Sequence, residues 1–285
     1  MKFQLLKKSF LGLSACALIF TACSKDENVD QIEQKSDLER AKEYAEEIGY
    51  HPDDIMIDNF MLPDGTKEER IFIEDDIALA PTDFYALAPI DAMPAVDDLA
   101  KQYRTNNLVT GSNRTIDIIG YTGGSNALTS TQRTALQWAV NNYNRLSGVS
   151  LTFRLTFGTD YQSKDMVIYR NPNNAGAGGS AGFPSNGRPN KFVQLYRGMD
   201  SYDTNTNEHV ITHEIGHSVG FRHTDYFSRA SCGQNTNEGS AGVGAIRVSG
   251  TPSGYDANSI MLACFGQGED GEFGANDITA LQAMY

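Results

Sequence analysis

One short stretch, HVITHEIGHSVGFRHTD at residues 209–225, contains four of the five histidines of this 285-residue chain. Histidine is the commonest metal-binding residue of proteins, so this clustering indicates a shared ion. His213 and His217 are four residues apart, which in a helix places them on one face, about 6 Å apart along the axis. Their rings can therefore converge on a single metal.

A third histidine follows within reach of the same ion. Gly220 supplies the positive φ that ends a helix and lets the chain turn back. His223 comes three residues later and approaches from outside the helix. Three neutral histidines and one open position describe a catalytic zinc site, with Zn–N distances of about 2.0 to 2.1 Å.

Glu214 distinguishes catalysis from simple metal binding. It follows His213 directly and so projects about 100° around the helix, where it can approach water without ligating the metal. We predict that Glu214 is the general base, which takes a proton from zinc-activated water and delivers it to the leaving amine. A structural zinc site needs no such carboxylate and fills its fourth position with a protein ligand.

The extended pattern His-Glu-x-x-His-x-x-Gly-x-x-His is complete from His213 to His223, and in this form it resembles the metzincin metalloproteases. Metzincins also have a methionine in a tight turn beneath the zinc, and the stretch NSIMLAC supplies one at Met261. More closely, the chain is similar to the bacterial dual-action HEIGH metallopeptidases, named for the five letters at 213–217. The resemblance covers roughly residues 110–285.

This resemblance implies an α+β fold with a mixed twisted sheet, an active-site helix, a Met-turn and a C-terminal helix. It also implies the zinc ligands His213, His217 and His223, with Glu214 as the base. The chain departs from the pattern at Ala263, where some metzincins have a tyrosine that acts as an extra ligand or transition-state donor. The sequence therefore names no second donor for the oxyanion.

The first residues have the layout of an export signal. Three lysines precede an apolar run at 10–20, which is shorter than the ~20 residues of a membrane span. The run ends in Phe-Thr-Ala-Cys, which resembles a bacterial lipobox and implies cleavage before Cys23 and acylation of its sulfur. Ordinary signal cleavage beside a chance cysteine is the alternative. The acidic residues that follow Cys23 favour an outer-membrane lipoprotein, exposed at the cell surface.

Charge divides the exported part into two regions. Residues 24–104 contain 22 acidic and 8 basic residues, whereas residues 105–285 contain 14 acidic and 12 basic residues. The absence of a basic patch argues against nucleic-acid binding. We predict a signal peptide, an acidic tether, a small helix-plus-hairpin unit, a linker and a zinc metallopeptidase domain, with these bounds: 1–22, 23–35, 36–80, 81–104 and 105–285.

Two roles are open for the acidic N-terminal unit, whose helix starts with a capping box at Ser36 and Glu39. It is either a latency segment, with an acidic residue such as Asp75 or Asp76 capping the zinc, or a spacer that holds the domain off the membrane. Latency would end by cleavage near Arg104, which precedes a polar stretch suited to proteolysis.

Only two cysteines remain in the folded part, Cys232 and Cys264, because Cys16 leaves with the signal. In an oxidising compartment two cysteines commonly pair, and a disulfide here would fasten the loop after His223 to the Met-turn. Two buried thiols that never meet are the alternative, because spacing alone does not fix the distance between them.

Other polar residues near the motif have structural interpretations. We expect His209 to be an exposed residue of the first helical turn, and Thr224 and Asp225 to make loop contacts rather than orient a histidine. Four acidic residues offer oxygen ligands for Ca²⁺, although a charge at a helix start also explains the last of them: Glu269, Asp270, Glu272 and Asp277.

Together these features predict an exported zinc endopeptidase that hydrolyses peptide bonds in protein substrates. An extended substrate would add to the sheet along an edge strand at 192–197, with its side-chain pocket walled by the loop before Met261. Two other functions remain open: a surface binding or adhesion lipoprotein with a zinc-stabilised domain, and a cell-wall peptide hydrolase.

Overall fold

The computed structural model describes residues 35–87, 102–235, 238, 244–252, 254–266 and 268–285. The predicted signal, the lipidation site at Cys23 and nearly all of the acidic tether lie outside the described residues, as does most of the predicted linker. Within these ranges, no helix has the length and apolar character needed to cross a bilayer.

The N-terminal unit is a helix followed by three antiparallel strands. Helix α1 spans Asp37–Glu47, and its capping box at Ser36 and Glu39 is present. Strands β1, Ile55–Met61, and β2, Lys67–Ile73, form the hairpin expected from the sequence. The second alternating run does not continue as one strand, because the chain turns at residues 74–76 and returns as β3, Ile77–Leu79.

The structure narrows the predicted linker at both ends. Helix α2, Pro81–Phe84, still belongs to the N-terminal unit, since Phe84 is buried there and the Tyr44 hydroxyl donates to the Tyr85 carbonyl. At the other end β4, Tyr103–Arg104, pairs with β10, Ile246–Arg247. Residues 103–104 thus pair with the C-terminal region, ahead of its predicted start at residue 105.

The main sheet has five strands in the order β6-β5-β7-β9-β8. Strands β5, β6, β7 and β9 run parallel, and the short β8 is antiparallel to β9. Their bounds are Thr115–Tyr121, Thr152–Gly158, Met166–Asn171 and Phe192–Tyr196 for the parallel strands, and Gly179–Ser180 for β8. The predicted mixed sheet is confirmed.

One face of this sheet is covered by helices. Helix α3, Ser130–Asn144, and helix α4, Thr204–Ser218, pack together over it, and α5, Ala275–Met284, ends the chain. Strand β5 sends Ile116 and Ile118 to this face. These contacts form the principal core, which fixes the position of α4 and its histidines.

The N-terminal hairpin covers part of the opposite face. Phe60 and Phe72 pack in one buried cluster with Ile119, Val167 and Tyr169 of the main sheet. Because side chains alternate along a strand, β5 supplies Ile119 to this cluster and the adjacent Ile118 to the face that the helices cover. The N-terminal unit thus shares a core with the main sheet.

The open edge of the sheet differs from the prediction. Strand β9 was expected to be the edge, but it lies between β7 and β8. The edge strand beside β9 is β8, which is only two residues long. A strand of two residues is too short to show the alternation of polar and apolar residues by which strands are recognised in a sequence.

Candidate active site

Three histidines meet where α4 ends. Helix α4 carries His213 and His217, and Gly220, with φ at 111°, turns the chain so that His223 returns to the same point. The three Nε2 atoms are 3.0, 3.2 and 3.3 Å from one another. The predicted convergence of the three rings is therefore present.

The Nδ1 atoms fix the protonation of these rings. Nδ1 of His213 lies 2.8 Å from the Ile260 carbonyl and Nδ1 of His217 lies 3.0 Å from the Phe221 carbonyl. A carbonyl oxygen only accepts, so both Nδ1 atoms carry hydrogen and both Nε2 atoms are free to ligate. Nδ1 of His223 donates likewise to Glu238 at 2.8 Å.

This arrangement fits a zinc ion. Three Nε2 lone pairs directed at one another over 3.0 to 3.3 Å repel unless a cation lies between them. A tetrahedral zinc with Zn–N bonds of about 2.0 to 2.1 Å requires ligand atoms about 3.3 to 3.4 Å apart. The histidine triangle is close to that size, and its donors are the nitrogens that zinc prefers.

Asp76 occupies the fourth ligand position beside the three histidine nitrogens. Its Oδ2 lies 3.0 Å from Nε2 of His217 and of His223 and 3.9 Å from Nε2 of His213. Burial raises the pKa of Asp76, but the three histidines outweigh burial and hold that pKa well below its usual range. An N₃O set with a carboxylate in the fourth position is a closed zinc site.

An unusual turn delivers Asp76 to the histidines. Glu74 and Asp75 have φ of 59° and 61°, a left-handed conformation that residues other than glycine rarely adopt. Backbone conformations of this kind persist only where surrounding contacts hold them. The contacts here come from the catalytic domain.

Two sets of contacts hold the turn. Arg229 forms ion pairs with Glu74 and with Glu238, the carboxylate that accepts from His223. The main chain at residues 76–78 is bonded to Ala181, just beyond β8: Ala181 donates to the Asp76 carbonyl at 2.9 Å and accepts from the Ala78 amide at 2.7 Å. The N-terminal unit therefore occupies the sheet edge at Ala181 as well as the fourth ligand position of the metal site.

Glu214 lies beside this fourth position. It is buried on α4, and a Cβ added to Gly179 of β8 would come within 2.9 Å of its Oε1. Burial raises the pKa of Glu214 well above its usual range, and the nearby charge of Asp76 raises it further. Glu214 is not among the four groups that converge on the metal position.

Met261 lies beneath the active-site helix. It is fully buried, and the Thr224 amide donates to its carbonyl at 2.8 Å. Its sulfur faces Gly216, where an added Cβ would come within 2.5 Å of Sδ. The preceding carbonyl, of Ile260, accepts from His213, so this turn orients one of the three histidines.

We expect Gly216→Ala to destabilise the protein although alanine favours helix over glycine by about 1 kcal/mol. The added methyl would overlap Met261, and overpacking costs about 1 to 3 kcal/mol, so the melting temperature should fall by about 2 to 5 °C. Thermal unfolding measures this. Gly158→Ala is the control, because its Cβ would meet only an ordinary contact at 3.6 Å, and an equal loss in both variants would contradict the prediction.

Asp277, one of the residues proposed for calcium, supports the same turn. Its carboxylate accepts from the Ile260 and Gly274 amides and from the side chains of Ser259 and Gln102. Burial raises its pKa to about 6. In the part of the chain that the structure describes, the four acidic residues proposed for Ca²⁺ do not come together as a metal-binding group.

His209 was expected to be exposed, and this is wrong. It is 4% exposed, its Nδ1 lies 2.8 Å from the Asp270 carbonyl, and its ring packs on Phe265. The segment after the Met-turn covers it, which the helical pattern alone does not reveal.

Thr224 and Asp225 make loop contacts, as expected. The Thr224 hydroxyl accepts from the Asp256 amide, and Asp225 accepts from Ser231 and from the Ala263 amide. The carboxylate that orients a histidine is Glu238, which the sequence interpretation missed. No sequence motif marks Glu238.

The two cysteines form a disulfide. Cys232 and Cys264 have Cα atoms 5.1 Å apart, and their bond joins the loop after His223 to the segment after Met261. That segment, residues 263–266, lines a cavity of about 300 Å³ beside the histidines. The expected substrate pocket at the loop before Met261 stays a prediction, since this cavity is lined by the segment after the methionine and a second cavity by the loop before it.

Arg104 is a poor cleavage site in this fold. It is half-buried in β4, the neighbouring Thr105 amide donates to the Gly220 carbonyl, and Tyr103 is fully buried. A protease needs a segment that it can extend in its own active site, and this one is paired on both sides of the residue. Cleavage near Arg104 stays a prediction, and it would require this short strand to open first.

Comparisons with known proteins identify the family of this chain. No curated protein matches the chain. Two solved structures of myroilysin are similar with a TM-score of 0.39: one has 17% identity over 64% of this chain and 98% of its own, the other 14% over 74% and 98%. A sequence model of the dual-action HEIGH metallo-peptidases matches residues 72–285, a range that includes Asp76 and the histidine motif. The chain belongs to the dual-action HEIGH metallo-peptidase family.

Proposed function

We propose that this metallopeptidase is an exported zinc endopeptidase that folds in a latent form. The observation that carries the proposal is the geometry at the end of α4. Three histidine nitrogens converge for a zinc ion, Glu214 lies beside the fourth position without ligating, and Asp76 from the N-terminal unit fills that position.

His213, His217 and His223 would hold the zinc, because their Nδ1 atoms are bonded to fixed acceptors and their Nε2 atoms converge. Bound zinc would supply Lewis-acid activation of water and of the peptide carbonyl. Glu214 would accept a proton from that water at its carboxylate and pass it to the leaving nitrogen as the C–N bond breaks.

The sheet edge would hold the substrate. Residues 76–78 already exchange backbone hydrogen bonds with Ala181 beside β8, and a substrate in extended conformation would replace them there as an added strand. Because these hydrogen bonds involve only the substrate backbone, many substrate sequences could bind. The 300 Å³ cavity, with Val210, Met199 and Phe265 in its wall, would select an apolar side chain next to the cleaved bond.

The N-terminal unit would act as a latency segment rather than a spacer. Asp76 fills the fourth ligand position, and residues 76–78 occupy the edge of the main sheet. The unit also shares a core with that sheet through Phe60 and Phe72. A cut between residues 88 and 101 would leave these contacts in place, so activation requires the unit to separate as well.

Export and anchoring remain proposals from the sequence. The apolar run followed by Cys23 supports a lipoprotein of the bacterial outer membrane. The disulfide between Cys232 and Cys264 is consistent with folding outside the cytoplasm, where such bonds form and persist.

Metal removal tests the proposed function. The chain, activated by limited proteolysis and separated from its N-terminal unit, should cleave denatured casein, stop when a chelator removes the metal, and recover with added zinc. Because the core around α4 is apolar and extensive, circular dichroism should show a folded protein throughout.

Two results would point elsewhere. Unfolding on chelation, without cleavage at any stage, would favour the binding-lipoprotein alternative, in which zinc is structural. Cleavage of cell-wall peptides but not of casein or gelatin would favour the cell-wall hydrolase.

A further inference from the structure

Tyr196 makes a contact at the active site that the proposed chemistry does not yet use. It is the last residue of β9, is nearly buried, and lines the same cavity as His213 and Glu214. Its hydroxyl donates a hydrogen bond of 2.6 Å to the backbone carbonyl of Asp75.

The position of that carbonyl is informative. It belongs to the peptide group that joins Asp75 to Asp76, the residue whose carboxylate fills the fourth corner of the histidine site. The same segment is bonded to the sheet edge at Ala181. The latent form therefore shows a main chain held at the sheet edge through residues 76–78, while Tyr196 holds the carbonyl one residue before the capping Asp76.

The hydroxyl is suited to act as a permanent donor. Burial raises the pKa of Tyr196, and the negative charges of Glu214 and Asp76 raise it further, so the proton stays on the oxygen. When the N-terminal unit leaves, this hydroxyl loses its acceptor and remains in the wall of the cavity beside Glu214.

Building on the proposed peptidase function, we infer that Tyr196 donates a hydrogen bond to the carbonyl oxygen of the scissile peptide as negative charge develops on it. Water adds to the carbonyl carbon, its proton passes to Glu214 and then to the leaving nitrogen, and the tyrosine proton is not transferred. Ala263, two residues after Met261, carries only a methyl group. Tyr196 would thus be the second oxyanion donor that the motif region lacks.

The test is Tyr196→Phe in the full, zinc-loaded chain that also carries Asp76→Asn, so that the fourth corner lacks its carboxylate. Steady-state cleavage of a quenched peptide gives kcat and KM, and calorimetry gives the affinity for a phosphinic pseudopeptide, which presents a tetrahedral anion. We expect kcat to fall about 10²-fold, as for other oxyanion donors, with KM nearly unchanged. Phosphinic affinity should fall by a similar factor.

Tyr169→Phe in the same background is the matched control. Tyr169 is also a buried tyrosine of the sheet whose hydroxyl donates to a carbonyl of the N-terminal unit, that of Met61 at 2.8 Å, but it does not line the cavity. It should keep the parent kcat and phosphinic affinity. Melting temperatures of both variants confirm that they are folded.

The outcomes separate the two proposals. A higher KM with an unchanged kcat would overturn the inference, because Tyr196 would then bind a carbonyl outside the reacting bond, and an unchanged variant would overturn it too. In both cases a parent chain that cleaves the peptide leaves the peptidase proposal standing. A parent chain that cleaves nothing and binds no phosphinic peptide would refute both.

Discussion

Changing Asp76 to asparagine should raise the rate at which the full chain cleaves a peptide by about 10³-fold, with no cut in the chain. The carboxylate of Asp76 lies 3.0 Å from two of the three histidine nitrogens, so it competes directly with water and substrate. Removing one charge of a buried ion pair weakens the interaction by about 4 kcal/mol. Each 1.4 kcal/mol corresponds to about a tenfold change in the equilibrium between the latent and the open state. The latent state should therefore open far more often.

Asp75→Asn provides the control. It makes the same chemical change in the neighbouring residue of the same turn, and asparagine also tolerates the left-handed conformation found there. The Asp75 side chain is exposed, so this variant should remain latent. Binding of a small hydroxamate, measured by calorimetry, gives a second readout: only the Asp76 variant should bind it. Equal, low activity in both variants at full zinc occupancy would argue against latency through Asp76.

The sequence was most informative where structure is decided locally. The capping box at Ser36 starts helix α1 as expected, and one at Thr129 starts helix α3. The i,i+4 spacing of His213 and His217 and the positive φ of Gly220 bring three rings together, because helix geometry and glycine conformation depend on few neighbours.

What the sequence left undecided depends on contacts between distant segments. Asp75 and Asp76 were both candidates for the cap, and the choice follows from a left-handed turn at Glu74 and Asp75, where no glycine marks it. That turn is held by Arg229 and Ala181, far along the chain. Pattern alone cannot distinguish two adjacent carboxylates when the surrounding fold selects one.

The same reason explains the residues that were missed or misplaced. No sequence motif marks Glu238, which accepts from His223. Tyr196 resembles an ordinary core residue of β9 in the sequence, and only the structure shows that its hydroxyl donates to the Asp75 carbonyl. Strand β8 is only two residues long, so the sheet edge was assigned to its longer neighbour. Long-range packing, rather than local preference, decides each of these.

Changing Glu214 to glutamine should reduce kcat by 10³- to 10⁴-fold while zinc remains bound. General acid–base catalysis contributes about 10²- to 10⁴-fold, and this residue is proposed to serve both as the base for water and as the acid for the leaving nitrogen. Glutamine keeps the size and hydrogen-bonding reach of the side chain but cannot accept the proton. Since Glu214 is not among the groups that converge on the metal, zinc affinity should be nearly unchanged.

Glu208→Gln is the matched control for this experiment. Glu208 is also a buried carboxylate of α4, but it accepts from Asn142 at 2.8 Å and does not line the catalytic cavity. Both variants are made in the Asp76→Asn chain and assayed for peptide cleavage, zinc content and melting temperature. The Glu208 variant should lose some stability and keep its kcat. The Glu214 variant should keep its stability and lose most of its kcat. Loss of zinc from the Glu214 variant would make this carboxylate a ligand, and retained cleavage would exclude it as the base.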